Sequence, residues 1–313
     1  MPTPVAAAPA SLAVIGDGRL GGVLAAALRA VPGLTVYGPL GRGEEVPAVD
    51  IALLCVPDAE ISAAARLVRP RAQFVGHVSG ATPLDDVDFS LHPLQTFTGA
   101  EDPDVFRGIG CAIDGRTDAA RARAADLAAA LGGRAFVIGD EHRAEYHAAA
   151  SLASNLLLTV LDATERVATS AGLEPAEARM LLGPLVRQSV ANWEEAGARA
   201  ALTGPIARGD EQTVARQRAA VVARERELGA LFDELCASAR VLAAWPGSDE
   251  RVVPAAGAVP AEGVMPAESA VRAESAVSAE GVMPAASAVP VGPAVPTGRA
   301  SLGEGLRNEA GAA

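Results

Sequence analysis

A histidine, a serine and an asparagine recur at intervals of four residues in the segment "EYHAAASLASN", as His147, Ser151 and Asn155. If this segment is helical, the three side chains share one face, because successive residues turn by about 100°. Such a face could do chemistry, with the imidazole exchanging a proton and the other two groups holding a polar substrate. The alternative is that the three side chains satisfy hydrogen bonds at a helix interface.

A second candidate for chemistry is the glycine-rich stretch "SLAVIGDGRLGG", in which Gly16, Gly18 and Gly21 form a GxGxxG pattern. A predicted strand precedes the pattern and a predicted helix follows it, as in a dinucleotide-binding turn. The first glycine permits the tight turn, the second lets the backbone approach a pyrophosphate, and the third allows close helix packing. Arg19 and Leu20 open the helix and are counted with this cofactor-binding loop, because a helix N-terminus offers free N–H groups to phosphates.

The end of the second predicted strand bears on the choice between NADP and NAD. NAD-specific sites have an acid there that bonds the ribose hydroxyls. The segment "TVYGPLGRGEE" instead has Gly38 and Pro39 at that point, with Arg42 just beyond. An arginine favours a 2′-phosphate, so NADP is the expected cofactor. NAD stays possible if Arg42 is a solvated charge and Glu44 or Glu45 bonds the ribose.

Other predicted strand ends point to the same cleft, because open α/β sheets bind ligands at the carboxyl ends of their strands. Pro57, in "CVPDAEI", is expected to shape a turn beside the cofactor. His92, in "LHPLQTF", is a further catalytic candidate. His77, in "HVSGA", is expected to bond a backbone group, and the alternative is a catalytic role.

The elements that must position these groups follow from the hydrophobic pattern. Short apolar runs alternate with helical patterns over residues 11 to 140, which is typical of βαβ units. The predicted fold class is α/β, a Rossmann doubly wound parallel sheet followed by an all-α helical domain. We predict a Rossmann NAD(P)-binding domain at 1–140, an all-α substrate and dimerisation domain at 141–245, and a disordered low-complexity tail at 246–313. The predicted strands are "SLAVIG", "LTVYG", "DIALLCVP", "QFVGHVS", "FSLHP", "GCAIDG" and "AFVIG".

Three long helices are predicted in the second domain. One runs from Glu141 to Ala171, one begins near Pro175 and is bent or interrupted at Pro184, and one runs from Glu211 to Leu242. The last carries an apolar residue at every seventh position, a stripe that packs against other helices within the domain or across a dimer. A homodimer through the helical domain is therefore expected. The stripe consists of Val214, Val221, Leu228, Leu235 and Leu242.

Composition excludes several classes of function. The net charge of −12 argues against nucleic acids and anionic membranes as partners, which need clustered positive charge. All 26 basic residues are arginine, which excludes a lysine Schiff base. The three cysteines lack the spacing of metal ligands, so no metal is expected, and they suit free thiols in a reducing compartment. Without an apolar run of about 18 residues, the protein is expected to be cytoplasmic.

Several of these segments together resemble an uncharacterised bacterial family of Rossmann-like proteins with a helical C-terminal domain of unknown function. The resemblance covers residues 11 to 243, and the family is similar to the group of 6-phosphogluconate dehydrogenase, ketopantoate reductase and pyrroline-5-carboxylate reductase. It is carried by "IGDGRLGG", "CVPDAEI", "HVSGA", "LHPLQTF", "YHAAASLASN" and "LTGPIARGD".

The similarity to ketopantoate reductase implies roles for the three spaced polar residues. In that enzyme a lysine is followed after four and eight residues by asparagines that bind substrate. His147, Ser151 and Asn155 stand at the corresponding positions, and only Asn155 matches in type. The resemblance therefore implies that His147 is the general acid and that Ser151 and Asn155 hold the polar group of the substrate.

The segment "LTGPIARGDEQTV" supplies further candidates. Arg208 is either a ligand for an anionic substrate or a surface charge, and Asp210 is expected to cap the last helix. Gln217 stands where the family pattern has a histidine.

The leading prediction is an NADP-dependent oxidoreductase that reduces a keto or imine group of a small carboxylate, by analogy with ketopantoate reductase. The alternative is a nucleotide-binding sensor or scaffold without turnover, which the missing lysine and Gln217 favour. A third possibility is that the tail recruits a partner to the folded part of the chain.

Overall fold

The computed structural model describes residues 11 to 245, and the predicted tail at 246–313 lies outside the described residues. All seven predicted strands form, and they make one sheet in the order β2-β1-β3-β4-β5-β6-β7. The strands are β1 Ser11–Ile15, β2 Thr35–Leu40, β3 Val49–Leu54, β4 Ala72–His77, β5 Phe89–Pro93, β6 Gly110–Gly115 and β7 Arg134–Val137.

The sheet is parallel from β2 to β5. Strand β6 runs antiparallel to β5, and β7 runs parallel to β6. The predicted parallel sheet is confirmed, and the pair β5–β6 is its one antiparallel exception among the described strands. A parallel connection needs a long crossover, usually a helix. The chain between β5 and β6 forms only a short 3-10 helix, Pro103–Phe106, so it returns along the neighbouring edge in the opposite direction.

Helices cover both faces of the sheet and create two apolar layers. The central strand β3 alternates between them, with Ile51 facing one layer and Ala52 the other, and both side chains are fully buried. Helices α1 and α3 pack on the first face and α2 on the second. This three-layer arrangement confirms the Rossmann-like prediction. The helices are α1 Arg19–Arg29, α2 Ile61–Val68, α3 Asp118–Ala130, α4 Arg143–Ala153, α5 Asn155–Ser170, α6 Pro175–Ala201, α7 Gly204–Ala207, α8 Glu211–Arg224 and α9 Leu228–Ala244.

The helix predicted from Glu141 to Ala171 is divided at Ser154, which corrects the sequence prediction. Ser154 has φ −126° and ψ −87°, far from helical values, and separates α4 from α5. Its hydroxyl donates to the carbonyl of Ala150 at 2.8 Å and lies 2.7 Å from the side-chain oxygen of Asn155. Serine hydroxyls compete in this way for backbone partners. Asn155 therefore begins a new helix and does not continue the face of His147 and Ser151.

Two further helix predictions need correction. The chain stays helical through Pro184, so the helix is not interrupted there, and its non-helical residue is Gly197, with φ 75° and ψ 164°. The predicted helix over residues 211–242 is two helices, α8 and α9, separated where Arg166 binds the carboxylates of Glu225 and Glu227. A side-chain cluster from another helix thus fixes a break that the local sequence pattern did not indicate.

Within residues 11–245, none of the helices combines the length and the apolar character required to cross a bilayer. The change from strands to helices follows β7, while the domain limits at 140 and 245 stay predictions.

Candidate functional site

The glycine-rich turn joins β1 to α1 with a geometry that only glycine fits at two positions. Gly16 has φ 112°, and a Cβ atom there would lie 2.4 Å from the carbonyl oxygen of Cys55. A Cβ atom at Gly21 would lie 2.0 Å from the carbonyl oxygen of Gly16. Both distances are far below van der Waals contact, so the turn is built around the absence of these side chains.

Gly18 differs from these two glycines because its missing side chain faces open space. It is the N-cap residue of α1, with φ −68°, and no atom lies within 4 Å of the position of a Cβ. The first turn of α1 carries no acidic residue. A helix N-terminus with an open backbone approach and no competing carboxylate is suited to bind a phosphate.

A cleft of about 960 Å³ lies beside this turn. Of the predicted cofactor residues, Gly16, Gly18, Arg42 and Pro57 line the cleft. Arg19, Leu20 and Gly21 are not among the lining residues; the side chain of Leu20 packs against the core instead. The volume lies within the range of small-molecule and cofactor sites.

The far end of the cleft carries charges of both signs. Arg42 is exposed and pairs with Glu60 at 2.8 Å. Glu44 accepts a hydrogen bond from the backbone N–H of Gly41, and Arg71 pairs with Glu45 at 3.4 Å. Arg42, which would favour NADP, and Glu44 and Glu45, which would favour NAD, therefore lie at the same end of the cleft. Arg71 is a cleft arginine that sequence reasoning missed, and no feature of the pattern around it indicated that position.

A cluster of aromatic polar side chains forms where β5 meets α4. Nδ1 of His92 lies 2.6 Å from the hydroxyl oxygen of Tyr146, and the ring centroids of His92 and His147 are 6.2 Å apart. Gly80 packs against both imidazoles, because a Cβ there would lie 3.0 Å from Nδ1 of His147 and from Nε2 of His92. The structure thus brings together two predicted catalytic residues from distant parts of the sequence. We call these four residues the histidine cluster.

Burial keeps the central pair of the histidine cluster uncharged. Desolvation lowers the pKa of His92 to about 4, and the positive charges of His147 and Arg143 act in the same direction. Burial raises the pKa of Tyr146 to about 12. At neutral pH their hydrogen bond therefore joins a neutral imidazole to a neutral phenol. If the phenol donates to Nδ1, the proton of His92 resides on Nε2, the nitrogen that faces Gly80.

The buried Arg143 anchors the start of α4 to the sheet. Its Nε donates to Asp140 at 2.5 Å and its Nη2 donates to the hydroxyl of Ser90 at 2.7 Å. The other oxygen of Asp140 accepts from the backbone N–H of Leu84 at 3.1 Å. Arg143 precedes His147 by one helical turn, so these hydrogen bonds of Arg143 fix the position of the His147 imidazole. The sequence analysis did not identify Arg143 or Tyr146. Tyr146 could have been found from its position directly before His147, a predicted catalytic residue.

The remaining predicted site residues are less closely joined to the histidine cluster. Ser151 is half-buried on α4, four residues beyond His147, so these two share a helix face. Asn155 is exposed at the start of α5. Arg208 is exposed at the end of α7 and takes part in none of the hydrogen bonds described for the histidine cluster.

Two predictions of structural roles can be compared directly. The side chain of Asp210 accepts from the backbone N–H of Thr213 at 3.0 Å, which confirms it as the N-cap of α8. His77 is buried, and its Nδ1 accepts from the N–H of Ser79 while its Nε2 lies 3.3 Å from the carbonyl oxygen of Pro83. The expectation that His77 bonds backbone groups is confirmed. Gln217 is exposed on α8.

Residues 109–239 match the sequence model of a family described as Domain of unknown function (DUF2520). This match and the Rossmann-like architecture confirm the predicted resemblance to an uncharacterised family whose C-terminal domain has no known function. None of the curated proteins shows significant similarity to the chain.

Solved structures share the fold over most of the described residues. A Thermotoga maritima protein is 23% identical with a TM-score of 0.63, and the alignment covers 74% of this chain and 99% of that one. A Bacteroides fragilis protein, provisionally described as an NADP oxidoreductase, is 20% identical with a TM-score of 0.62, covering 74% and 98%. A 1-pyrroline-5-carboxylate reductase of Streptococcus pyogenes is 14% identical with a TM-score of 0.50, also covering 74% and 98%. At these identities the likeness establishes the fold.

Proposed function

We propose that the protein is an NADP-dependent oxidoreductase that reduces a keto or imine group of a small carboxylate. The observation that carries the proposal is the open backbone at Gly18, which adjoins a cleft of cofactor size on a sheet that also presents the histidine cluster. The Bacteroides fragilis and Streptococcus pyogenes proteins with this fold are described as an NADP oxidoreductase and a pyrroline-5-carboxylate reductase, which supports the same class. A cytoplasmic location is part of the proposal and agrees with free thiols at Cys55, Cys111 and Cys236.

The residues of the cleft fit a dinucleotide. The N-terminus of α1 at Gly18 would hold the pyrophosphate, and Pro57 would line the path of the cofactor. Arg42 would bind the 2′-phosphate of NADP, and Arg71 adds a second positive charge at that end. When bound, the reduced nicotinamide supplies the hydride, and the protein supplies orientation and a proton.

The proton is assigned to His147. Its imidazole is exposed, so solvent can replace a proton that it gives to a carbonyl oxygen or an imine nitrogen. His92 is held neutral and oriented by Tyr146, and it can donate a hydrogen bond to the same reacting atom without becoming charged. Together the two imidazoles would stabilise negative charge that develops on the substrate.

The remaining polar groups are assigned to substrate binding. Ser151 shares the α4 face of His147 and would bond the polar group of the substrate. Asn155 would do so from the start of α5, beyond the break at Ser154. Arg208 is the remaining candidate for the substrate carboxylate. Ketopantoate-like acids are the first substrates to test, by analogy alone.

A fluorescence titration tests the cofactor site. We expect NADPH to bind at micromolar concentrations and NADH much more weakly, with the preference reduced in Arg42→Ala. Gly18→Ala should weaken both by about tenfold or more, since a methyl group would occupy the space of the pyrophosphate. Gly22→Ala is the matched control, because it also adds a methyl group in open space on α1 and should bind like the wild type. Absence of binding by the wild type would remove the proposal.

A turnover screen separates the oxidoreductase from the alternative of a sensor or scaffold without turnover. The alternative is favoured by the missing lysine at position 147 and by Gln217 where the family pattern has a histidine. Keto acids and imines are offered with NADPH, and its oxidation is followed. We expect His147→Ala to lower kcat by roughly 10² to 10⁴, the usual contribution of a general acid, while NADPH still binds. Tight cofactor binding without turnover of any substrate would favour the sensor. Unchanged turnover in His147→Ala would mean that another residue is the general acid.

A further inference from the structure

The motif "LHPLQTF" carries polar side chains beyond His92 that have no part in the proposed function. His92 belongs to strand β5, and the residues after Pro93 leave the sheet at its carboxyl end. We call residues 94–99 the β5 loop. Gln95 is exposed on this loop, three residues beyond His92. Phe97 is half-buried and packs against the core, so the loop is attached to the body of the fold.

The β5 loop connects the histidine cluster to the glycine-rich turn. It begins directly after strand β5, whose residue His92 belongs to the cluster. At its other end, a Cβ atom at Gly99 would lie 3.4 Å from Cα of Arg19, the first residue of α1. The loop therefore runs from the imidazoles to the helix N-terminus that would bind the pyrophosphate.

The sheet topology gives the distance that the loop spans. Strands β3 and β4 lie between β1 and β5, so three strand intervals separate the two, or about 14 Å. These strands finish at the same edge, because the residues near their ends are paired in one row: Ile15, Leu54, His77 and Ser90. A fully extended chain from Leu94 to Gly99 reaches at most about 18 Å. The loop must therefore pass close to the ends of β4 and β3.

The β5 loop and the histidine cluster lie toward opposite faces of the sheet. Phe89 and Leu91 of β5 belong to the first apolar layer, so the alternating residues Ser90 and His92 point to the second face. Helix α4 bonds both of these side chains. Phe97 brings the loop back to the first layer, where α1 also packs. A flat ring bound between the two would have the loop on one side and the imidazoles on the other.

The amide of Gln95 presents only donors to this space. Its Oε1 accepts from the backbone N–H of Thr96 at 2.8 Å and from the hydroxyl of Thr96 at 3.4 Å. Within residues 11–245, none of the hydrogen bonds uses its Nε2. A primary amide whose oxygen is occupied in this way offers two N–H groups to an acceptor such as a carbonyl oxygen.

Glu101 fixes the conformation of the far half of the loop. Its carboxylate accepts from the N–H and the hydroxyl of Thr98 and from the N–H of Gly99. These hydrogen bonds lower the pKa of Glu101 to about 2, so the carboxylate is ionised at neutral pH. A loop that is already held in place spends less binding free energy on becoming ordered when a ligand arrives.

We propose that Gln95 donates a hydrogen bond to the carboxamide oxygen of the nicotinamide ring and so holds the ring against the β5 loop. The assignment rests on the proposed function, because it requires the dinucleotide. With its pyrophosphate at α1 and its substrate beside the imidazoles, the cofactor must carry its ring past the β5 loop. The hydrogen bond from Gln95 restricts rotation of the ring, whose other side then faces His92 and His147. Gln95 is thus a cofactor-binding residue, and the proton still comes from His147.

Two ligands test this role by calorimetric titration, without turnover. NADPH is compared with 2′-phospho-ADP-ribose, which keeps the pyrophosphate and the 2′-phosphate but lacks the nicotinamide. Gln95→Leu removes the donors at similar size and should weaken NADPH binding about five- to tenfold, the usual contribution of one hydrogen bond. Binding of the fragment should stay within about twofold of the wild type. Gln217→Leu, at an exposed glutamine of α8, is the matched control and should bind both ligands like the wild type.

Hydrogen exchange of the wild type supplies a measurement that needs no variant. The amides of Gln95 and Thr96 should exchange more slowly with NADPH bound and at an unchanged rate with the fragment bound. Equal protection by both ligands would count against a nicotinamide contact.

The outcomes separate this assignment from the proposed function. Unchanged NADPH affinity in Gln95→Leu, or equal weakening of NADPH and the fragment, would overturn the role of Gln95 and leave the phosphate site standing. A raised KM for an identified substrate with unchanged NADPH affinity would overturn it in favour of substrate binding. A wild type that binds neither ligand would overturn the proposed function and this assignment together.

Discussion

The hydroxyl oxygen of Tyr146 lies 2.6 Å from Nδ1 of His92, and this contact joins helix α4 to the end of strand β5. Because Tyr146 precedes His147 directly, the same bond orients one candidate catalytic imidazole and fixes the helix that carries the other. This contact therefore links the stability of the fold to the geometry of the candidate site. Four predictions test that link.

Replacing Tyr146 by phenylalanine should lower both stability and activity. Nδ1 of the half-buried His92 would lose its partner, which costs on the order of 1 to 3 kcal/mol in the free energy of unfolding. We expect kcat/KM with an identified substrate to fall about tenfold as the ring loses its orientation. Urea unfolding and steady-state kinetics measure the two effects. Tyr37→Phe is the matched control, since the other tyrosine is 40% exposed on β2; equal behaviour of the two variants would contradict the assigned role.

Replacing Gly80 by alanine should disturb the histidine cluster without unfolding the protein. The added methyl carbon would lie 3.0 Å from Nδ1 of His147 and from Nε2 of His92, so one or both rings must shift by a few tenths of an ångström. Such displacements at a reacting centre can lower turnover by roughly 10 to 100-fold. We expect a reduced kcat, an unfolding midpoint close to that of the wild type, and normal behaviour of Gly22→Ala. Unchanged turnover would show that the space between the rings is not used.

Stability should decrease as the pH falls from about 6.5 to 4. Burial lowers the pKa of His92 and of His77 from the usual 6.5 to about 4 in the folded protein. The unfolded chain therefore binds protons in this window that the folded chain does not, and each residue contributes a slope of up to about 1.4 kcal/mol per pH unit. The stability is fully present above pH 6.5.

The variant His92→Asn isolates one of these slopes. Asparagine can still bond Tyr146 but does not titrate, so urea midpoints measured between pH 7 and pH 4 should show a shallower decline than in the wild type. A wild-type slope in His92→Asn would mean that His92 is not held neutral by burial.

Replacing Arg143 by methionine should destabilise the protein and raise the pKa of His92. The carboxylate of Asp140 and the hydroxyl of Ser90 would each lose the hydrogen bond from Arg143, at a cost of roughly 2 to 4 kcal/mol. The positive charge of Arg143 also disfavours the charged form of His92, so its removal favours protonation. Urea unfolding and an NMR titration of the imidazole protons give both values. Arg116→Met, at an arginine bonded to a carbonyl on the surface, is the control.

Local sequence signals predicted most of the fold correctly. The seven strands were predicted because each is a short apolar run bounded by turn residues, and the central ones are buried on both faces. The glycine turn was predicted because its spacing reflects backbone geometry that depends on a few neighbouring residues. The helix breaks at Ser154 and Glu225 were not predicted, since they depend on hydrogen bonds and ion pairs that helical periodicity does not reveal.

The sequence by itself determined the Rossmann-like sheet, the glycine-rich turn at Gly16 to Gly21 and the candidates His92 and His147, because residue type and spacing carry that information. Only the tertiary structure decided that the two histidines meet across Gly80, that Arg143 anchors their helix, and that Asn155 starts a separate helix. It also decided that the apolar stripe of the last helices is largely buried while α5 and α6 are uncovered. Contacts between segments more than 50 residues apart depend on how elements pack, and no local pattern specifies that arrangement.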